Sequence, residues 1–241
     1  MQNIVLAPPP SFYQRLSSLG VGVADQKILD LGTGTGVLAR QFAKQGCEVF
    51  ASDISPEQVK MAETLAQLEN LKITTKIAPA EESDFGRQFD AITANQCFLY
   101  FNKAKVIPFI KNSLSPGGIL LTSHFSWLPL VDPIAAASEK LILKYNPNWT
   151  AHSFSGEIPE VPYGLGSDFT VKDWFYYDEP IAFSREEWRG RIRACRGVGA
   201  ALEPAAIAQF DEEHEQLLSQ IAGEKFSIVH RIDAHLMMPR S

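Results

Sequence analysis

Cysteine is scarce in this chain. There are three in 241 residues, Cys47, Cys97 and Cys195, and no two stand in a CxxC spacing. That pattern excludes a disulfide framework and a cysteine-based zinc site, and it fits thiols kept reduced in a cytoplasmic setting. Long apolar runs are missing too, since nothing approaches the roughly 20 consecutive residues a membrane-spanning helix needs. Residues 1–10 lack a basic segment and break at Pro8-Pro9-Pro10, so no secretory leader is expected. A cationic excess is also absent: 22 Lys and Arg stand against 28 Asp and Glu, a formal net charge of −6. Neutralising phosphates needs a basic face, so nucleic acid is not the expected partner. No internal repeat or low-complexity tract occurs. What remains is ordinary for a soluble globular protein, 45% hydrophobic and 21% charged. The length fits one large domain over residues 1–241, or a domain carrying an insertion.

Short apolar runs alternate with amphipathic stretches through the first two thirds, the pattern of βαβ units and a mostly parallel sheet. A helix is expected over Ser11 to Leu19, then strands at Lys27 to Leu31, Glu48 to Ser52, Lys72 to Ile77, Phe89 to Ala94 and Ile119 to Ser123. Helices are expected from Val37 to Lys44 and near Lys103 to Leu114. Another follows Ser55, where Pro56 suits the first turn and Gln58 completes a capping box, with Met61, Leu65 and Leu68 as its apolar face. Pro116-Gly117-Gly118 reads as a turn into strand five, and His124 as the end of that strand. Beyond it the pattern breaks. Residues 127–168 are rich in proline and aromatics around one helix, Asp132 to Tyr145, and read as a cap insertion. Sheet-like sequence resumes at Phe169 to Tyr177. Helices over Arg185 to Cys195 and Pro204 to Ile221 follow, and Phe226 to Met238 closes the chain as a strand.

The strongest signal is Asp30-Leu31-Gly32-Thr33-Gly34-Thr35-Gly36, where a strand runs into a glycine turn and then a helix. Glycines there permit a tight turn and let a ligand approach the main chain. Asp53 lies 21 positions after Gly32, at the end of the next strand, where an acid can take up a ribose 2′-hydroxyl. Together they predict a nucleoside site. A dinucleotide fingerprint requires a third glycine where Val37 stands. Asp30 would also oppose a pyrophosphate seated on the helix N-terminus. S-adenosylmethionine carries no phosphate and two cationic groups, so it suits this acid better.

This set resembles the class I S-adenosylmethionine-dependent methyltransferases. Asp30 to Gly36 is similar to the family's first motif. The resemblance implies that Asp30, Gly32, Thr33, Gly34 and Gly36 contact the cofactor, that Asp53 holds the ribose, and that Ile54 flanks the adenine. Ala78-Pro79-Ala80-Glu81-Glu82 resembles the segment edging the adenine. Pro79 stands where many members have an acid, which leaves a backbone contact from Ala80, with Glu81 beside it. Phe89 to Asn95 resembles the fourth-strand motif and brings Asn95 to the site, and Pro116-Gly117-Gly118 resembles the turn into strand five. The likeness spans about residues 24–124. It implies an α/β, Rossmann-like, seven-stranded, mostly parallel sheet with one antiparallel strand, helices on both faces and the cap after strand five. It is closer to the small-molecule branch than to those acting on macromolecules.

Absences narrow the acceptor as well. Asn95-Gln96-Cys97-Phe98 lacks the Pro-Pro-aromatic motif of nucleic-acid amino-methyltransferases, and no two-glutamate loop or metal-ligand cluster is evident. Cys97 reads as a buried small hydrophobe, because nothing basic neighbours it. A small acceptor is expected, with Tyr13, Phe98, Tyr100, Phe125, Trp127 and Trp149 as candidate pocket walls. His124 is the candidate general base, weighed evenly against a hydrogen-bonded structural histidine. Arg185, Arg189, Arg191, Arg193 and Arg196 read first as a solvated helix face and second as an anchor for an anionic acceptor. The expected reaction is methyl transfer by in-line displacement without a metal. The alternative is a non-catalytic, cofactor-binding or regulatory protein of the same fold.

Overall fold

The structure is a computed structural model that describes residues 7–240. The leader reading rests partly on residues 1–6, which lie outside that range. Among the described residues the chain runs α1 (Pro10–Ser18), β1 (Lys27–Leu31), α2 (Val37–Lys44), β2 (Glu48–Asp53), α3 (Pro56–Leu68), β3 (Ile73–Ile77), β4 (Phe89–Asn95) and α4 (Lys103–Ser113). It continues through β5 (Leu114–Trp127), α5 (Pro133–Tyr145), β6 (Phe169–Ser184), α6 (Arg185–Arg193), α7 (Pro204–Ile221) and β7 (Lys225–Pro239). The strands form one mixed, mostly parallel, seven-stranded sheet in the order β3-β2-β1-β4-β5-β7-β6, with helices around it. Strand order reverses between β1 and β4, and ligands bind at the carboxyl ends beside such a switch point.

Local sequence explains the central elements. In β1, Ile28, Leu29 and Leu31 are buried, and Asp30 is the one polar residue inside the run. A central parallel strand is covered on both faces, so this run is apolar without alternation. Helix α2 buries Leu38, Ala39 and Phe42 on one face. Helix α3 begins at Ser55, whose hydroxyl accepts from the Gln58 amide. The Ser55 amide donates to Asp53 Oδ1 at 2.9 Å, the place a full capping box would give to the Gln58 side chain.

Several expectations need correction. The buried face of α3 is Val59, Ala62 and Ala66, while Met61 and Leu68 are exposed. Close approach is the reason: a Cβ built on Gly36 would stand 3.0 Å from the Ala62 Cβ, so α3 must turn small side chains toward the glycine turn. Strand β5 starts five residues earlier than the run from Ile119 and ends at Trp127, so His124 lies inside it and not at its end. Pro116-Gly117-Gly118 is absorbed as an irregularity, since the ladder passes from Phe89↔Leu114 to Ala91↔Ile119. Gly117, at φ 80°, makes that bulge possible. Strand β6 continues to Ser184, well past Tyr177.

The chain divides into two compact units. One comprises Ala7–His124, Ile158–Tyr176 and the chain from Asp233 onward, around a core that includes Leu29, Phe50, Ile92, Phe98, Leu120 and Phe169. The other comprises Phe125–Glu157 and Tyr177–Ile232, around Trp127, Ile142, Trp188, Ile192, Phe210 and Leu218. The segment 127–168 is therefore shared. Its first part, through Glu157, joins α6 and α7 in one unit, and its remainder belongs to the other.

Candidate functional site

The residues at the carboxyl ends of β1, β2 and β4 form one hydrogen-bonded assembly. Strand pairing sets Asp30 level with Ala51 on β2 and with Thr93 on β4. Asp30 is 2% exposed, and its carboxylate accepts from the Thr33 hydroxyl and the Thr93 hydroxyl, both at 2.6 Å. Burial pushes its pKa up to about 6, against the pull of those two bonds, and the charge on Asp53 adds to the rise. An anion held this way is stabilised by a cation brought beside it.

The turn above is tied to β2. The Thr33 amide donates to the Ser52 carbonyl at 2.8 Å, and the Gly34 amide to Asp53 Oδ2 at 2.8 Å. Asp53 thus joins the glycine turn to the start of α3 through one amide on each oxygen. A carboxylate has about four acceptor positions, so two remain for a ligand. Gly32 and Gly34 have φ of 62° and 56°. A Cβ on Gly32 would stand 2.9 Å from Cys97 Sγ, whereas one on Gly34 would meet nothing nearer than 3.9 Å. Gly32 is thus needed for packing, and Gly34 faces open space.

The remaining expected cofactor residues stand just after β2, just after β3 and at the end of β4. Ile54 is 73% exposed beside Asp53, and Asp53 pairs in register with Ile77, itself exposed. Ala80 opens a one-turn 3₁₀ segment, Ala80–Glu82, and is buried, with Glu81 half-buried next to it. Asn95 ends β4 and accepts from the Ser123 hydroxyl at 3.0 Å. These groups suit a nucleoside attached to a cationic chain. They comprise exposed apolar side chains at Ile54 and Ile77, acceptor positions left on Asp53 and a buried carboxylate at Asp30.

His124 is half-buried and engaged at both ring nitrogens. Nδ1 lies 3.0 Å from Asp233 Oδ1, and Nε2 is hydrogen-bonded to the Tyr163 hydroxyl. Sequence reasoning missed Tyr163, Asp233 and Gln96. Asp233 had a visible signal, one acid inside the apolar run Ile232 to Met237, because a buried charge demands a partner. Tyr163 and Gln96 had none; their significance lies in positive φ angles of 55° and 59°, uncommon for such residues.

The aromatic wall candidates separate. Phe98 is fully buried in the first core, and Trp127 and Trp149 belong to the second, where the Trp127 indole donates to Glu139 at 2.8 Å. Phe125 stacks on His230 at 4.4 Å. Tyr100 is half-exposed. Tyr13 borders a groove of about 670 Å³ between α1 and α2, and its buried hydroxyl lacks a partner. Cys97 is half-buried, and desolvation pushes its thiol pKa well up, with the charges of Asp30 and Asp53 pushing it further. The arginine run is corrected. Arg189 and Arg193 converge on buried Asp211, at 2.6 and 2.5 Å, instead of forming a solvated face. Arg191 lies over the Trp127 ring at 5.0 Å. Arg185 donates to the Ala222 and Gly223 carbonyls, and Arg196 is exposed. Among the described residues no group of three or more His, Cys, Asp or Glu side chains is placed to hold a metal. Nor is any helix long and apolar enough to cross a membrane.

An acid beneath a glycine turn, a second acid clamping that turn, and the missing third glycine define a Rossmann-like methyltransferase domain. Residues 28–118 match the family model described as a methyltransferase domain. Among curated proteins it is similar to the ubiquinone biosynthesis O-methyltransferase of Xanthomonas axonopodis pv. citri (strain 306), 26% identical over 132 residues. That match covers 54% of this chain and 55% of the relative, so the chain spans about half the length of the curated relatives it matches. Solved structures share the fold. A protein from Anaeromyxobacter dehalogenans superposes with TM-score 0.64 at 16% identity, over 97% of each chain. An S-adenosylmethionine-dependent methyltransferase from Geobacter sulfurreducens, solved with S-adenosyl-L-homocysteine, gives TM-score 0.55 at 17% identity, over 98% of this chain and 100% of that one.

Proposed function

We propose that the chain transfers a methyl group from S-adenosylmethionine to a small-molecule acceptor. The observation that carries this reading is the buried Asp30 carboxylate beneath a turn that Asp53 clamps through the Gly34 amide. A pyrophosphate there would meet an anion, whereas an ammonium or sulfonium relieves one. Gly32, Thr33, Gly34 and Gly36 shape the cradle, Asp53 holds the ribose, Ile54, Ala80 and Glu81 border the base, and Asn95 closes the β4 side. The donor supplies a sulfonium methyl that is electrophilic without further activation. The protein's task is then positioning, and holding reactants at attack distance supplies about 7–11 kcal/mol of a barrier. Acceptance of a small molecule is supported by the net acidic charge and by the relatives named for ubiquinone biosynthesis. Residues 127–168 are proposed to cap the acceptor pocket.

The test is calorimetry with S-adenosylmethionine, S-adenosylhomocysteine and NAD, followed by a metabolite screen for consumption of methyl-labelled donor. The first two ligands are expected to bind and NAD to give no comparable heat. Tighter NAD binding would overturn the reading. Binding without turnover on any metabolite class would favour the cofactor-binding, non-catalytic alternative.

A further inference from the structure

We propose that Asp233, His124 and Tyr163 form a proton relay whose phenol end takes the proton of a hydroxyl acceptor, so that the chain methylates oxygen. The proposal deepens the methyl-transfer reading and rests on it. The two bonds of His124 set its logic. Asp233 is 2% exposed, and its Oδ1 lies 3.0 Å from Nδ1. An ionised carboxylate only accepts, so Nδ1 carries the proton and Nε2 presents a lone pair. In that neutral tautomer the Tyr163 hydroxyl on Nε2 is the donor. With both nitrogens engaged, His124 does not face an acceptor itself. The Tyr163 oxygen retains lone pairs and is the relay's outer end. The order carboxylate, imidazole, hydroxyl is the logic of an activated nucleophile, here with a phenol as the terminal group.

Placement level with the carboxyl end of β4 supports this role. Ser123, immediately before His124, pairs with Asn95 at the end of β4, and the Gln96 amide donates to the Ser123 carbonyl at 2.8 Å. The Tyr163 ring lies 5.0 Å from that of Phe98, and Lys103 Nζ stands 5.7 Å from its centroid. Tyr163 itself has φ 55°, followed by Gly164 at φ 71°. Strained backbone of this kind collects at functional sites. Among the described residues, Lys103, Cys97, Tyr100 and His235 are charged or titratable groups beside the relay. His235 Nδ1 stands 3.7 Å from the same Asp233 oxygen. Burial pushes the His235 pKa down, which disfavours a second cation beside Asp233. Burial and the Asp233 charge hold the Tyr163 phenol above its ordinary range, so a free phenolate does not accumulate and the two protons move together.

The step balances. The acceptor oxygen forms the new C–O bond while the donor's S–CH3 bond breaks, its electron pair remaining on sulfur. The acceptor proton passes to Tyr163 Oη as the phenolic proton passes to His124 Nε2. The imidazolium, stabilised by Asp233, then releases its proton to water. A neutral amine attacks with its own lone pair and gains little from such a relay, since a base helps only where a proton must leave.

The test has two arms. In the ligand-free protein, nitrogen NMR of His124 is expected to show the Nδ1–H form with Nε2 accepting a bond, and Tyr163→Phe to shift Nε2 alone. S-adenosylhomocysteine affinity, read by calorimetry, is expected to stay within twofold in that variant. In the second arm, labelled S-adenosylmethionine is offered with catechols, phenols, alcohols, amines and thiols. Hydroxyl acceptors are expected to react, with Tyr163→Phe and Asp233→Asn each lowering kcat by about 10²- to 10⁴-fold at little change in KM. That loss is expected to shrink above the acceptor's own pKa, where no base is needed. An Nε2–H form, or a Tyr163→Phe variant as active as wild type on a hydroxyl, overturns the relay. Preferred methylation of amines or thiols overturns the assignment to oxygen. Because the tautomer is read without ligand, it decides the relay even where no panel compound reacts. Absence of S-adenosylhomocysteine binding to wild type marks failure of the methyl-transfer reading instead.

Discussion

A carboxylate buried beneath a tight turn leaves a pH signature, and Asp30 carries it. Its pKa is about 6 in the folded chain against 3.8 for an unperturbed aspartate. Below pH 4 both states are protonated and stability is unaffected. Between pH 4 and 6 the folded protein keeps a proton that the unfolded chain has released, so stability falls as pH rises. Above pH 6 the full cost of about 3 kcal/mol is present, the shift from 3.8 to about 6 taken at about 1.36 kcal/mol per pKa unit. Asp30→Asn is therefore expected to be more stable than wild type at pH 7 and equal to it near pH 4, measured by urea midpoints. An equal difference at both pH values would refute the assignment. The same variant is expected to bind S-adenosylmethionine more weakly, since the cation loses its counter-charge. Asp53 predicts differently. Asp53→Ala is expected to cost about 1–3 kcal/mol of cofactor affinity by calorimetry, the scale of charge-assisted bonds. Unchanged affinity would mean that its two remaining acceptor positions serve no ligand.

The glycine turn is an element whose sequence and geometry agree, and it can be tested as one. Gly34→Ala places a methyl in open space at φ 56°, so the fold loses only the left-handed penalty of roughly 1–2 kcal/mol. Its effect on cofactor affinity is expected to exceed its effect on stability, by calorimetry against thermal melts. Gly32→Ala, driven against Cys97 Sγ at 2.9 Å, is expected to show the reverse order. A Gly34→Ala variant that binds like wild type would remove the turn from the cofactor site. This element was legible because its glycines, its acid and its flanking strand lie within a few residues of one another. Strand β1 and helices α2 and α7 were legible for the same reason, local periodicity with clear stops. Helix α3 was misread on its packing face, because hydrophobicity ranks Met61 and Leu68 above Ala62. Only the approach of Gly36 shows that small side chains are required there. The bulge at Pro116 to Gly118 was likewise invisible, since a turn signal does not say whether the ladder resumes beyond it.

At the scale of the whole chain, what escaped the sequence is long-range partnership. Asp233 is 109 positions from His124, and Asp211 is 18 from Arg193 on another helix, separations at which periodicity carries no information. The arginine run therefore read as a solvated face although it is the polar seam of the second unit. Asp211, 3% exposed, accepts from Arg189 at 3.1 and 2.6 Å and from Arg193 at 2.5 Å, with Glu186 and Glu215 completing the cluster. Arg193 is 3% exposed, so deleting Asp211 leaves a buried cation with Glu186, itself largely exposed, as its remaining carboxylate partner. Breaking such a pair costs about 3–5 kcal/mol, whereas replacing the whole cluster by apolar residues of similar volume is often neutral or stabilising. Asp211→Ala is accordingly expected to lower stability by that amount. The triple replacement Arg189→Met, Arg193→Met and Asp211→Leu is expected to recover much of the loss. Both would be read by urea midpoints. The proposed cofactor residues all belong to the other unit, which has its own core. Below the melting temperature of Asp211→Ala, its affinity for S-adenosylhomocysteine is then expected to match wild type. A tenfold loss of affinity in the folded variant would show that the arginine cluster serves the cofactor site. Full stability of Asp211→Ala would show that Arg193 finds water or another acceptor when its partner is removed.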